Sequence, residues 1–78
     1  MRVIEQSVID AMREYQRRKN YPLFLVQFYP NGAMDARLEK SDPPQQIDVY
    51  LCPESNRPDL SKDIDDEFRK FLSSRLKY

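Results

Sequence analysis

Residues Leu23–Leu38 read LFLVQFYPNGAMDARL, and the turn inside this stretch decides the fold. Asn31-Gly32 between apolar runs ordinarily makes a two-residue type I′ loop, because both residues tolerate positive φ. Pro30 argues against that version. In a two-residue loop the residue before Asn31 must donate its backbone N–H across the strand pair, and proline has none. A three-residue loop, Pro30-Asn31-Gly32, removes the conflict. Pro30 supplies φ near about −65° at the first turn position, and Gly32 takes the left-handed position of a G1 bulge. Tyr29 then stands opposite Ala33.

Counting back from that pair sets Phe28 against Met34, Val26 against Ala36 and Phe24 against Leu38, a wholly apolar face. The other face carries Leu23, Leu25, Gln27 and Tyr29 against Ala33, Asp35, Arg37 and Glu39. The two-residue register would place Phe24, Val26 and Phe28 beside three charges. A slip of one residue exchanges the faces, and only the bulged register keeps the apolar side chains together.

Ahead of the hairpin, Ile4, Val8, Ala11, Met12 and Tyr15 recur at helical spacing, with Val3 and Ile9 widening the stripe. Arg17, Arg18 and Lys19 place positive charge at the C-terminal end of the helix dipole, Asn20 suits a C-cap, and Pro22 ends the run. The pattern predicts a helix over about residues 2–19. After the hairpin, Ser41-Asp42-Pro43-Pro44 is a turn. Gln46–Cys52 then alternates, with Ile47, Val49 and Leu51 on one face and Asp48, Tyr50 and Cys52 on the other, as a half-buried strand does. Pro53–Pro58 reads as a surface loop.

A final helix follows, with Asp59 or Ser61 as N-cap and Asp63, Asp65, Asp66 and Glu67 loading its first turns with negative charge. Ile64, Phe68, Phe71, Leu72 and Leu76 form its buried stripe. Arg69, Lys70, Arg75 and Lys77 lie toward its end. The expected fold class is α+β: a two-layer α-β-β-β-α arrangement, with a three-stranded antiparallel sheet and two helices on one face.

The 78 residues are enough for one small α+β domain, residues 1–78, and no more. A core of this size supplies about 3–5 kcal/mol of net stability, so a partner chain is a reasonable expectation. Thirteen basic and 13 acidic residues leave no net charge to draw the chain to nucleic acid or an anionic membrane. The longest apolar run, Leu23–Val26, is far too short to span a bilayer, and Glu5 and Asp10 interrupt any signal-peptide pattern. Cys52 is the only cysteine. No internal disulfide can form, which points to a reducing compartment and a cytoplasmic location.

There is no histidine, which removes the commonest general base, the Ser-His and Cys-His dyads, and the commonest metal ligand. Cys52 has no visible activating partner. The one glycine, Gly32, is used by the hairpin, leaving no phosphate-binding loop. The acidic run from Asp63 to Glu67 lacks the glycine and spacing of a calcium loop and suits a helix N-terminus. No catalytic residue, cofactor or metal site is expected, and the protein reads as non-enzymatic.

The α-β-β-β-α order, with Tyr15–Pro22 leading into the first strand, resembles the layout of double-stranded-RNA-binding domains over nearly the whole chain. The resemblance implies nucleic-acid binding, for which Arg13, Arg17, Arg18 and Lys19 are the candidate phosphate contacts. It departs from that family where those domains carry lysines at the start of the last helix. Here Ser61-Lys62-Asp63-Ile64-Asp65-Asp66-Glu67 would repel phosphate, and the loop after the first strand is too short to reach a minor groove.

Protein binding is the favoured expectation. The open sheet face carries Leu23, Leu25, Tyr29 and Tyr50 among Asp35, Arg37, Glu39 and Asp48, the makeup of an interface centre and rim. Leu23, Leu25, Tyr29, Arg37 and Tyr50 are the candidate binding residues, with Tyr21 and Tyr78 adding aromatic surface. Addition of a strand at the edge of the first strand is a second route. The expected partner is another protein or a second copy in a homodimer, for a regulator, inhibitor or adaptor. Nucleic acid is the alternative, and no membrane is involved.

Overall fold

In a computed structural model describing residues 2–61 and 64–76, the elements run α1 (Val3–Lys19), β1 (Leu23–Phe28), β2 (Met34–Ser41), β3 (Pro44–Leu51), β4 (Asp59–Leu60) and α2 (Asp66–Leu76). The expectations placed on Lys62, Asp63, Lys77 and Tyr78 lie outside the described residues. The sheet order is β1-β2-β3-β4, with every neighbouring pair antiparallel.

The hairpin adopts the bulged loop. Tyr29 N–H donates to Ala33 C=O at 2.9 Å and Gly32 N–H donates to Tyr29 C=O at 3.0 Å. Gly32 has φ +94°, a conformation that side chains with a Cβ rarely adopt. Asn31 Oδ1 accepts the Ala33 N–H at 3.0 Å, which fastens the loop from inside. Phe28 pairs with Met34, Val26 with Ala36 and Phe24 with Leu38, the register that Pro30 selects. At the next turn Ser41 pairs with Pro44 around a cis Asp42–Pro43 bond.

α1 ends as its sequence indicates: Asn20 sits in the left-handed region with φ 58°, and Tyr21 N–H donates to Gln16 C=O at 3.1 Å. Val8, Met12 and Tyr15 of α1 and Phe68 and Leu72 of α2 meet Met34, Ala36, Leu38, Ile47, Val49 and Leu51 of the sheet in one core. Both helices therefore cover the same sheet face. The Tyr15 ring stands edge-on to Phe68 at 5.0 Å. Ion pairs lace the outer margin of the helix pair, from Glu14 to Arg18 and Arg75 and from Lys19 to Glu67.

Four expectations are corrected. The sheet has a fourth strand, because Asp59 and Leu60 pair with Tyr50 and Val49 before the chain turns away. Neither Asp59 nor Ser61 therefore caps α2. Asp65 does so, its Oδ1 accepting the Phe68 N–H at 2.9 Å. Tyr21 is buried rather than surface, lying against Tyr15. Phe28 is on the helix side of the sheet but is 51% exposed, because α1 lies chiefly over β2 and leaves the far end of β1 uncovered.

Arg2 holds the hairpin loop in place. Its guanidinium donates to the carbonyls of Pro53, Ser55 (3.2 Å), Cys52 (3.1 Å) and Gly32 (3.2 Å). Glu5, buried beside it, accepts the Arg2 backbone N–H at 2.6 Å and pairs with the guanidinium at 3.4 Å. One cation thus ties the start of α1, the β1–β2 loop and the chain after β3 together. The Arg2 backbone hydrogen bond, aided by the guanidinium's own hydrogen bond and charge, holds the Glu5 carboxyl below the usual carboxylate range.

Candidate binding surface: the first strand and the open sheet face

β1 is an edge of the sheet. Its residues, LFLVQF, include no charge and no proline, and its pairing with β2 is unbroken by a bulge from Leu23 to Phe28. These are the devices that normally blunt an exposed edge, and β1 has none of them. Apolar side chains stand exposed on both of its faces: Leu23 (42%) and Leu25 (45%) on the open face, Phe28 on the helix face. Phe24 and Val26 are only partly covered, with the Arg13 guanidinium 5.9 Å from the Phe24 ring centre.

The backbone of the edge follows from the turn. Tyr29 points its N–H at β2. Antiparallel residues bond alternately to one side and the other, so Gln27, Leu25 and Leu23 also bond inward. The N–H and C=O groups of Phe24, Val26 and Phe28 face outward.

The open face behind this edge holds the candidate residues on one surface. Leu23, Leu25, Tyr29 and Tyr50 are all exposed there, and Tyr29, Pro30, Asn31 and Tyr50 line a shallow depression of about 350 Å³. Arg37 lies at the centre, opposite Asp48 on β3 and Leu25 on β1, with Asp35 at 3.6 Å. Asp48 is pushed up from its ordinary 3.8 to about 6, first by burial and then by its hydrogen bond to Asp35 and that carboxylate's charge; Arg37 opposes this only in part. Asp35 Oδ1, Arg37 Nε and Asp48 Oδ1 are buried with no hydrogen-bond partner among the described residues. The centre of this face is therefore polar and incompletely satisfied, while its apolar surface is gathered at the β1 side and the two tyrosines.

The basic residues of the alternative reading are dispersed into intramolecular roles. Arg13 lies over Phe24, Arg18 pairs with Glu14 at 2.8 Å and lies 5.3 Å from the Phe71 ring centre, and Lys19 pairs with Glu67 at 2.6 Å. Arg17 is exposed. The Cys52 thiol, pushed up by burial and by Asp59, donates to the Asp59 carboxylate at 3.6 Å. Among the described residues no three His, Cys, Asp or Glu side chains are grouped as a metal would need. No described helix is long and apolar enough to cross a membrane.

Comparison with family models, with curated proteins and with solved structures finds no match to this chain.

Two features of the surface escaped the sequence reading. Register places Phe28 on the helix-facing side of the sheet, and no local signal tells how far a helix extends over it. The proximity of Asp35 and Asp48 requires β2 and β3 to be in register, which the Asp42-Pro43 turn decides.

Proposed function

We propose that this protein is a small non-enzymatic binding module whose β1 edge accepts an extended segment of a protein partner. The observation carrying this reading is an unblunted edge: six residues without charge, proline or bulge, apolar on both faces. A natural sheet that left such a strand uncovered would invite unspecific pairing, whereas strand addition uses its main-chain groups for affinity and its side chains for specificity. Leu23, Leu25 and Tyr29 would flank the incoming strand on the open face, with Arg37 and Tyr50 beyond them. The absence of histidine and the protonated, acid-bonded Cys52 thiol support a non-enzymatic role.

Selection of phage-displayed random heptapeptides on the immobilised protein tests the reading. Peptides rich in aromatic and β-branched residues are expected. Their affinity should fall by roughly tenfold or more in Val26→Pro, which deletes an outward donor at mid-strand, and persist in Tyr50→Asp. Phe28→Lys, at a half-exposed position, serves where Val26→Pro disturbs the circular dichroism spectrum. Recovery of peptides indifferent to both edge variants, or of no peptide by a chain that is monomeric, refutes the edge as the site.

A further inference from the structure

We propose that the segment β1 receives is the β1 of a second copy, antiparallel to it about a twofold axis through Val26. This rests on the edge being a binding site and adds the occupant and the register.

The outward-facing groups dictate the pairing. Only Phe24, Val26 and Phe28 offer N–H and C=O groups at the edge, so an antiparallel mate must place its own outward residues against these. With Val26 opposite Val26 of the second copy, Phe24 falls opposite Phe28 and Phe28 opposite Phe24. All the outward groups of both strands are then matched, in about six backbone hydrogen bonds.

The prolines bounding the strand select this register over its neighbours. Pro22 and Pro30 continue the outward-facing alternation, and neither has a donor. With the axis at Val26 they fall opposite one another, past the ends of the ladder. A shift of two residues either way sets a proline against a phenylalanine, whose carbonyl then loses its donor. The two prolines thus stand four residues either side of Val26, a symmetry that serves pairing of the strand with itself and serves no foreign strand in particular.

Side chains agree with the backbone. On the helix face each half-exposed Phe28 gains the second copy's Phe24 as its cross-strand neighbour, an aromatic pair formed twice about the axis. On the open face Leu25 meets Gln27 and Leu23 meets Tyr29. Because β1 has no charged residue, the paired strands themselves set no like charges opposite one another. The result is one continuous sheet with each β4 at its outer ends, so the unblunted edges vanish into the interior.

Light scattering and cysteine pairing test this on the full chain. At micromolar concentrations the measured mass should approach twice that of the 9.4 kDa chain. Phe28→Lys should weaken self-association roughly tenfold or more, since the axis doubles each lost contact. In a Cys52→Ser background, a mixture of Leu25→Cys and Gln27→Cys chains should oxidise to a mixed disulfide at least roughly tenfold faster than either chain alone. Only the mixture brings Cβ atoms within disulfide reach, about 3.8 Å.

A chain that stays monomeric overturns the proposal while leaving peptide addition at the edge intact. A dimer insensitive to Phe28→Lys, or one in which either single-cysteine chain cross-links as fast as the mixture, overturns it by placing the contact or the register elsewhere. A chain that stays monomeric and also recovers no edge-sensitive peptide would refute the broader reading as well, since nothing then occupies the edge.

Discussion

Asp48→Asn is expected to stabilise the protein at neutral pH and to do so less as pH falls. A carboxyl raised from 3.8 to about 6 disfavours its ionised form by roughly 3 kcal/mol. The sign follows from proton counting. Between about pH 4 and 6 the folded chain holds a proton on Asp48 that the unfolded chain has released, so this group lowers stability as pH rises through that window. Above about pH 6 the penalty is fully present; below about 4 it is absent. Asparagine cannot ionise, and its amide can donate to Asp35 as protonated Asp48 does. Partial exposure of the face trims the gain at pH 7.5 to about 1–3 kcal/mol. Urea unfolding at matched protein concentration, at pH 4.5, 6 and 7.5, measures it. The stability difference between variant and wild type should grow with pH at an unchanged m-value. A difference independent of pH, or a destabilised variant at pH 7.5, would show that Asp48 is well solvated or satisfied by Arg37, and would refute the account of the open face.

Arg2→Ala should cost about 2 kcal/mol in the same assay, because it leaves Glu5 buried without its counter-charge and frees four carbonyls from a charged donor. Wild-type stability should also fall as pH drops below about 4.5, because Glu5, held low chiefly by the Arg2 backbone N–H, and Glu14, held low chiefly by the Arg75 side chain, must take up protons that their folded contacts oppose; acid titration of Arg75→Ala, which removes the main cause at Glu14, should show a shallower fall. Phe68→Ala, at a fully buried ring, should cost roughly 3–5 kcal/mol. Phe28→Ala, where half the ring already meets solvent, should cost about 1 kcal/mol or less when compared at concentrations where both chains are monomeric; equal losses at the two positions under that condition would place Phe28 in the core after all.

The hairpin was legible because its information is local. Pro30 lacks a donor and Gly32 alone can take φ +94°, so the loop length follows from two residues, and the period of two then assigns every side chain to a face. α1 was legible for the same kind of reason, with basic residues, Asn20 and Pro22 closing an apolar stripe. The start of α2 was not. Asp59, Ser61 and Asp65 are all competent caps in isolation, and the choice fell to Asp65 only because Leu60 finds a place beside Val49 on the sheet. Arg2 was equally opaque: nothing in its neighbourhood says that carbonyls about thirty and fifty residues away will converge on it.

For the binding surface the division is the same. Sequence alone determined that Leu23, Leu25, Tyr29, Arg37 and Tyr50 share one face, and that β1 contains nothing to guard an edge. The meander order already made β1 an edge; tertiary structure decided that β4 adds to β3 and leaves that edge open, that Phe28 is left outside the shadow of α1, and that Asp35 and Asp48 crowd one guanidinium. The physical reason is range. Turn chemistry and strand alternation act over a few bonds, whereas coverage depends on how far a packed helix reaches across a sheet, and a shared charge depends on two strands arriving side by side.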